Sequence, residues 1–300
     1  MLTPELDLEL GSNLKIYSPV HSFSHDALTQ IFVKRDDLID PYISGNKWRK
    51  LKYILASAIE NKKTHLVTFG GAYSNHLLAT AAAAARSRLE ATAFVRGDEV
   101  KNEMLFLCQL FGMHLIFVDR ESYRHKQQLY QQYFENNDST YFIDEGGASE
   151  EAVIGCAEII DELIDSYDHI FCAAGTGTTA AGLLRGINDR KLDTQLHVIP
   201  VLKGGEFIAD DIQKFEKDIS KLHLHLDYHF GGYAKITPDL SYFIREFIAN
   251  TGLLIDPVYT AKMFYAINDL VSKNAIKKDA RILAIHTGGL IGMLGMKDKL

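Results

Sequence analysis

The chain alternates short apolar segments with longer stretches in which apolar residues recur every three or four positions. The short segments predict seven strands, at 31–36, 65–70, 91–97, 114–119, 169–175, 196–202 and 281–288. Several are apolar at consecutive positions, which is typical of parallel strands covered by helices. The longer stretches predict eight helices, at 47–60, 75–87, 100–111, 121–136, 149–165, 178–189, 238–250 and 258–273. This alternation predicts an α/β fold with right-handed crossovers.

Three glycine-rich junctions follow predicted strands. They read FGGAYSNH (69–76), AAGTGTTAAG (173–182) and HTGG (286–289). In open α/β sheets, ligands bind outside the carboxyl ends of the strands, where such turns gather. The three junctions therefore predict one composite binding site.

Composition narrows the class of partner. The formal net charge of −7, without a basic run, argues against nucleic acid as the main partner. The three cysteines are widely spaced, so we expect neither a disulfide framework nor a zinc site, and a cytoplasmic location fits best. The acidic N-terminus lacks the pattern of a signal peptide, and no uninterrupted apolar run of membrane-spanning length is present, so we expect no membrane partner.

The segment SGNKWRK (44–50) places Lys47 in the first turn of a predicted helix, where the backbone N–H groups disfavour a cation. Steps of three and four residues from Lys47 reach apolar positions at 51, 54 and 58, so Lys47 is predicted to face inward. Lys50 and Lys52 are predicted to face solvent. Burial and the helix dipole would lower the pKa of Lys47, and a neutral amine is what Schiff-base chemistry requires.

The alternative is that Lys47 reaches the surface or pairs with Asp36 or Asp37, which is the more frequent situation for a lysine. Lys47 alone does not decide between these interpretations. An anion site nearby would favour the inward one.

The threonine-rich junction supplies a candidate anion site. Gly175 and Gly177 allow close approach of the backbone, and Thr176, Thr178 and Thr179 add hydroxyl donors at the start of a helix. The same loop also fits a dinucleotide fingerprint. However, the next strand ends in Lys-Gly-Gly rather than in the acid that a Rossmann site requires. A turn that merely packs a helix against its strand is a further alternative.

The junction at 69–76 brings Ser74, Asn75 and His76 to the start of a helix of small residues. Its N–H groups could hold a carboxylate, and the Asn75 amide could bond a phenolic or carbonyl oxygen. Taken alone, this is equally well an ordinary N-cap.

Five motifs occur together and in order: SGNK (44–47), GAYSNH (71–76), GTGTTAAG (175–182), DPVY (256–259) and HTGG (286–289). With them, the chain resembles the 1-aminocyclopropane-1-carboxylate deaminase / D-cysteine desulfhydrase family of pyridoxal-phosphate enzymes, from about residue 33 to 289. The resemblance implies the tryptophan-synthase-β-like fold, with two open parallel-sheet α/β domains. The larger domain would comprise 1–48 and 149–300, and the smaller, inserted domain 49–148.

The resemblance also implies the cofactor, pyridoxal 5′-phosphate, and roles for individual residues. Lys47 would form the Schiff base, and Asn75 would bond the phenolic oxygen of the cofactor. Residues 175–179 would hold its phosphate, with Thr287 also at the cofactor. The substrate would contact four residues, namely Ser74, Asn75, His76 and Tyr259. The catalytic groups would be Lys47, Ser74, Tyr259 and, beside it, Tyr233. Either tyrosine could instead be a core aromatic.

The resemblance implies a lyase or deaminase that acts on a small amino acid. In the deaminase branch a glutamate follows the motif tyrosine and the last motif reads HLGG. Here Thr260 and Thr287 stand at these positions. A neutral hydroxyl at the pyridine nitrogen gives a weaker electron sink, which favours elimination from D-cysteine to pyruvate, ammonia and sulfide over opening of a cyclopropane. 1-Aminocyclopropane-1-carboxylate deamination is the alternative, and a homodimer is the family's usual assembly.

Three other classes compete with this interpretation. A nicotinamide-dependent oxidoreductase would rest on Gly175 and Gly177 alone, and a non-catalytic pyridoxal-phosphate fold would bind cofactor without turnover. A metal site could start from His223 and His225. Their alternation with apolar residues instead predicts a strand with both histidines on one face, so we expect no metal.

Overall fold

The computed structural model of the chain describes residues 16–23 and 30–300, which form two sheets flanked by helices. The larger sheet has the strand order β1-β2-β10-β7-β8-β9, where numbers follow the chain. Its strands are Val20–Ser22 (β1), Gln30–Lys34 (β2), His169–Ala174 (β7), Gln195–Pro200 (β8), Leu222–Leu224 (β9) and Arg281–Ile285 (β10). Strand β1 is antiparallel to β2, and the other neighbours pair in parallel.

The smaller sheet has the order β5-β4-β3-β6 and is parallel throughout. Its strands are His65–Gly71 (β3), Glu90–Arg96 (β4), Met113–Val118 (β5) and Thr140–Ile143 (β6). All four lie within the segment that the resemblance assigns to the smaller domain. The predicted α/β fold with open parallel sheets is confirmed, while the domain limits at 48/49 and 148/149 stay a prediction.

Nine α-helices connect the strands of the described residues. They are Asn46–Glu60 (α1), Asn75–Arg86 (α2), Glu103–Leu110 (α3), Lys126–Phe134 (α4), Glu150–Asp161 (α5), Thr178–Asp189 (α6), Phe207–Phe215 (α7), Pro238–Thr251 (α8) and Thr260–Ser272 (α9). The sequence pattern missed β1, β6 and α7, and the helix predicted from 121 is a 3-10 turn until residue 126. A 3-10 segment, Leu290–Lys299, follows the last junction.

Both faces of each sheet are covered, as consecutive apolar positions in the strands require. In the smaller sheet, α1, α2 and α3 cover one face, where α2 buries the alanines at 81–84, and the aromatic-rich α4 covers the other. In the larger sheet, α5, α6 and α7 pack on one face and α8 and α9 on the other. The carboxyl ends of β3, β7 and β10 all carry the glycine-rich junctions.

The prediction that there is no signal peptide concerns N-terminal residues outside the described part of the chain. Within residues 16–23 and 30–300, each helix is too short or too polar to cross a lipid bilayer.

Candidate active site

The three glycine-rich junctions meet at one cavity of about 630 Å³. Its wall includes Ser74 from the first junction, Gly175 from the second, Thr287 from the third, and Lys47 from the start of α1. A volume of this size is typical of a pocket for a small molecule or cofactor. The junctions thus form the composite site that the sequence predicts.

Lys47 reaches the cavity because α1 begins directly against the third junction. Gly45, the N-cap residue, has φ of +61°, and a Cβ built there would lie 1.9 Å from the Thr287 carbonyl oxygen, so the position requires glycine. The Lys47 Nζ donates to the Gly146 carbonyl at 3.3 Å. Burial, and then the neighbouring charge of Lys50, hold the pKa of Lys47 well below its usual range.

The prediction that Lys50 faces solvent is wrong. Lys50 is only 2% exposed, lies in the cavity wall, and donates from Nζ to the same Gly146 carbonyl at 3.0 Å. Burial lowers the pKa of Lys50 as well. Lys52, in contrast, is half-buried and pairs with Glu158 at 2.8 Å. Lys50 lies three residues after Lys47 and therefore shares the inward face of the helix. The sequence prediction was wrong because it assumed that this charged side chain is solvated.

The alternative in which Lys47 pairs with an aspartate is also wrong. Asp36 is bonded to Arg49, from Nε at 2.9 Å and from Nη2 at 2.7 Å. Asp37 forms an ion pair with Arg35 at 2.7 Å. Both carboxylates are therefore occupied, and Lys47 lies apart from them.

The threonine-rich loop presents the N-terminus of α6 to the cavity. Gly177 is the N-cap residue of this helix, and Thr179 accepts a hydrogen bond from Asn46 Nδ2 at 2.9 Å. Gly175, Thr176, Gly177 and Thr179 all line the cavity, whereas Thr178 is fully buried with its hydroxyl 3.2 Å from that of Thr176. The first backbone N–H groups of a helix lack intrahelical partners, so this end can bind an anion.

The N-terminus of α2 forms another wall. Ser74 is the N-cap residue, yet its side chain makes no capping hydrogen bond, so the hydroxyl is available to the cavity. The Asn75 amide lies beside the third junction, close to Gly289. Serine and amide groups here can meet a ligand together with the free N–H groups of the helix.

The imidazole ring of His76 is held inside the protein by a hydrogen bond to Thr68. Its Nε2 lies 2.8 Å from the Thr68 hydroxyl, which itself donates to the Ile143 carbonyl at 3.0 Å. Nε2 must therefore carry the proton, and Nδ1 is a buried acceptor without a partner in the described part of the chain. Burial, and then Lys47, lower the pKa of His76 well below its usual range. The ring stays neutral, and what it offers a carboxylate is its backbone N–H.

Tyr259 and Tyr233 come together at the cavity. Asp256 accepts from the backbone N–H groups of residues 258 and 259 at 2.9 Å, which fixes the turn before α9. The two phenol oxygens are 3.4 Å apart, and the rings meet edge to face. A Cβ on Gly175 would lie 3.3 Å from the Tyr259 hydroxyl, so glycine there admits the phenol to the loop. Burial, and then Tyr233, raise the pKa of Tyr259 well above its usual range, whereas Tyr233 itself is exposed at the cavity wall.

The two threonines that argued for a neutral ring-nitrogen partner lie in different places. Thr287 lines the cavity. Thr260 is fully buried, and its hydroxyl contacts the Asp256 carboxylate at 3.0 Å and accepts from the Asp256 N–H at 2.8 Å. Thr260 therefore lies outside the cavity wall, where the Asp256 carboxylate holds it.

The two histidines of β9 lie against the larger sheet. His223 and His225 both stack on His197, with ring centroids 4.9 and 5.1 Å away. Across residues 16–23 and 30–300, no group of three or more His, Cys, Asp or Glu side chains has an arrangement that could hold a metal ion.

The cavity fits pyridoxal phosphate in its donor chemistry. A phosphate can bind at the α6 N-terminus beside Thr176 and Thr179, and the buried amines of Lys47 and Lys50 lie nearby without a carboxylate partner among the described residues. Lys47 retains access to the cavity, which condensation with an aldehyde requires. These two amines are thus matched to an anionic aldehyde.

Comparison with known proteins agrees with this fit. The profile of the family described as pyridoxal-phosphate dependent enzyme matches residues 16–288. A putative 1-aminocyclopropane-1-carboxylate deaminase of Pyrococcus horikoshii is 31% identical, with 93% of this chain and 90% of the relative covered. A mitochondrial bifunctional D-cysteine desulfhydrase/1-aminocyclopropane-1-carboxylate deaminase of Arabidopsis thaliana is 26% identical, with coverage of 94% and 79%.

A solved structure of an ACC deaminase homologue superimposes with a TM-score of 0.85 at 29% identity, with 94% of this chain and 92% of that one covered. The likeness therefore extends over both sheets and the cavity between the junctions. The chain belongs to the family of pyridoxal-phosphate dependent enzymes, and its cofactor is pyridoxal 5′-phosphate.

Proposed function

We propose that the enzyme catalyses α,β-elimination from a small amino acid, converting D-cysteine to pyruvate, ammonia and sulfide. The observation that carries this proposal is that one cavity contains an amine of depressed pKa and two phenols whose oxygens lie 3.4 Å apart. Elimination needs a group that takes the Cα proton and another that can protonate the leaving thiolate. The Arabidopsis relative, named for both activities, supports the same class of reaction.

Bound pyridoxal phosphate supplies an aldehyde that condenses with amines and a ring that withdraws electrons from the substrate Cα. Thr176, Thr179 and the α6 N-terminus would hold the phosphate. Lys50 would neutralise part of the charge of the phosphate. Lys50 donates to the Gly146 carbonyl, and Gly146 lies beside the threonine-rich loop, since a Cβ built on it would be 3.2 Å from Thr176. The Asn75 amide would bond the phenolic oxygen, and Thr287 would lie at the ring.

The residues around the substrate would divide the remaining work. The N–H groups of the first turn of α2, at Asn75 and His76, would bind the α-carboxylate. Lys47, with its depressed pKa, would take the Cα proton, and the free Ser74 hydroxyl would help to move it. Phenols titrate near pH 10 and so keep their protons at neutral pH, and Tyr259 and Tyr233, which both line the cavity, would donate to the leaving sulfur.

Deamination of 1-aminocyclopropane-1-carboxylate is the second candidate. The name of the Pyrococcus relative favours it. Because Thr260 lies outside the cavity wall, only Thr287 now argues for the desulfhydrase branch. The same proton-transfer groups could serve either substrate.

Product analysis distinguishes the two reactions. Purified holoenzyme is incubated in turn with D-cysteine, L-cysteine, D-serine and 1-aminocyclopropane-1-carboxylate. Pyruvate and sulfide are assayed for the first reaction and 2-oxobutyrate for the second. We expect pyruvate and sulfide from D-cysteine. Formation of 2-oxobutyrate, with D-cysteine left intact, would reject the desulfhydrase proposal in favour of the deaminase.

Assembly and location complete the proposal. A homodimer is the usual assembly of the family that the chain resembles, and the exposed Phe106 and Leu110 of α3 offer apolar surface for it. A cytoplasmic location agrees with three cysteines that are all buried as free thiols.

A further inference from the structure

Two arginines in the cavity wall have no role in the chemistry proposed above. Arg96 is the last residue of β4, and Arg120 follows the end of β5. These strands are parallel neighbours, so their carboxyl ends bring both side chains to the same side of the smaller sheet. Arg96 lies close to the first junction, since a Cβ on Gly71 would lie 3.7 Å from its Nη2.

The cavity is richer in basic side chains than the chain as a whole. The net charge of the protein is −7. Among the ionisable side chains that line the cavity, in contrast, basic groups outnumber carboxylates, with Lys47, Lys50, Arg96 and Arg120 against Glu145 and Asp211. Because the two lysines serve the aldehyde and the phosphate, the two arginines remain for another anion.

The arginines also lack strong partners within the described residues. The nearest carboxylate to Arg96 is Glu145 at 3.9 Å, beyond hydrogen-bond distance, and Glu145 contacts Lys126 at 3.1 Å instead. The Arg96 guanidinium lies over the Tyr123 ring at 5.3 Å, which restricts its orientation. Arg120 has no carboxylate at ion-pair distance in residues 16–23 and 30–300. Their donors are therefore free to meet a ligand.

We infer that Arg96 and Arg120 form an anion subsite for the side chain of the substrate, so that the enzyme accepts amino acids with a carboxylate on the leaving group. The inference rests on the proposed function, because it assumes that the reacting Cα lies at Lys47 in the same cavity. A carboxylate can take two parallel N–H bonds from one guanidinium, which gives direction as well as charge.

The corresponding reaction is an ordinary elimination. With S-carboxymethyl-D-cysteine, the Cα proton is removed, the Cβ–S bond breaks, and mercaptoacetate leaves as its thiolate. Water hydrolyses the remaining three-carbon enamine to pyruvate and ammonia. No oxidant or reductant is involved.

Binding is tested first, with amino acids that carry no leaving group. D-Glutamate and D-glutamine have the same shape and differ in the charge of the side chain, and calorimetry on the holoenzyme gives a dissociation constant for each. We expect D-glutamate to bind about tenfold more tightly, and Arg96→Gln and Arg120→Gln each to reduce that preference about threefold. Arg124→Gln, on an exposed side chain away from the cavity, is the matched control and should keep the preference.

Equal affinity for the two amino acids, no detectable binding of D-glutamate, or a preference that survives in the Arg96→Gln/Arg120→Gln double variant would overturn the inference. The cofactor absorbance of each variant verifies that its fold is intact. A loss of affinity for D-glutamine equal to that for D-glutamate would also overturn it, since the arginines would then act on the α-carboxylate.

Turnover separates this inference from the proposed function. S-Carboxymethyl-D-cysteine and S-carbamoylmethyl-D-cysteine differ only in charge, and pyruvate release measures both. We expect kcat/KM to be about tenfold higher for the carboxylate, with the difference falling in 0.5 M salt. If D-cysteine and the amide react but the carboxylate has no advantage, the subsite is rejected and the reaction stands. If D-glutamate is preferred but no pyruvate forms from any substrate, the subsite stands and the elimination is rejected.

Discussion

Helix α1 carries two kinds of buried cation within its first two turns. Arg49 is fully buried and is bonded to Asp36 and Glu162, so its charge is compensated within the chain. Lys47 and Lys50 share one carbonyl oxygen, that of Gly146, and have no carboxylate partner within the described residues. Burial disfavours the Arg49 charge, but the two carboxylates more than offset this and raise its pKa, whereas the pKa values of both lysines are lowered. Arg49 therefore stabilises the fold, whereas Lys47 and Lys50 are available to a ligand.

The largest effect should come from removing the reactive amine. Lys47→Ala should abolish turnover and the visible absorbance of the bound cofactor, because among the described residues Lys47 alone combines open access to the cavity with a pKa held well below its usual range. Absorbance spectra and the pyruvate assay measure this. Lys52→Ala, on the half-exposed side of the same helix, should leave both unchanged. Full activity of Lys47→Ala would remove the basis of the comparison.

Removing the compensated cation should affect stability rather than chemistry. Arg49→Met leaves Asp36 buried and uncompensated, so the free energy of unfolding should fall by about 3–5 kcal/mol. Denaturant unfolding of the apoprotein measures it, and Lys52→Met is the control for losing a partly exposed pair, worth about 1 kcal/mol or less. A small loss in Arg49→Met would mean that the network contributes little.

Lys50→Met should act in opposite directions on the apoprotein and on the holoenzyme. The apoprotein should become more stable by about 1 kcal/mol, since a buried cation without a counter-ion is removed. The holoenzyme should bind pyridoxal phosphate about tenfold more weakly, since one phosphate partner is lost. Thermal unfolding without cofactor and a cofactor titration measure the two effects. Weaker cofactor binding with a less stable apoprotein would instead assign Lys50 a structural role.

The buried histidine His197 should make the stability of the protein depend on pH. Burial, and then the neighbouring histidines 225, 169 and 223, lower its pKa to about 2. The unfolded imidazole titrates near 6.5, so between these values the unfolded state binds more protons. Its contribution to stability is therefore complete above about pH 6.5 and falls below it, by about 1.4 kcal/mol per pH unit.

Urea unfolding at pH 7.5 and 5.5 tests this effect, which is the smallest at physiological pH. The loss of stability between the two pH values should be smaller in His197→Gln by about 1 kcal/mol. His114→Gln, which removes an exposed imidazole, is the control. An identical loss in wild type and His197→Gln would show that this histidine does not set the acid sensitivity.

Periodicity predicted much of the fold, because the strands are buried on both faces and the helices are amphipathic. It missed β6, which has four residues, and α7, whose apolar positions at 208 and 212 pack against α6 across a long sequence separation. The start of α9 was predicted too early because Asp256 binds the backbone N–H groups before the helix. Such contacts depend on the tertiary structure rather than on local pattern.

Within the site, Lys47 was predictable because a cation is unusual in the first turn of a helix. The threonine-rich loop was predictable because glycines and hydroxyl groups cluster just before a helix begins. Lys50 and Thr260 were not, because their environment depends on residues far along the chain, Gly146 for one and a buried carboxylate for the other. Arg96 and Arg120 do carry a usable pattern, since each stands at or just after the end of a predicted strand. The position of each arginine at a strand end was visible in the sequence, but only the structure shows that both line the same cavity.

Lys47, rather than its buried neighbour Lys50, is expected to hold the cofactor. Reduction of the holoenzyme with borohydride, followed by digestion and mass spectrometry, fixes the cofactor to the lysine that carries it. We expect the phosphopyridoxyl group on Lys47 in both the wild type and Lys50→Met. A label on Lys50, on any other lysine, or on none would contradict the account.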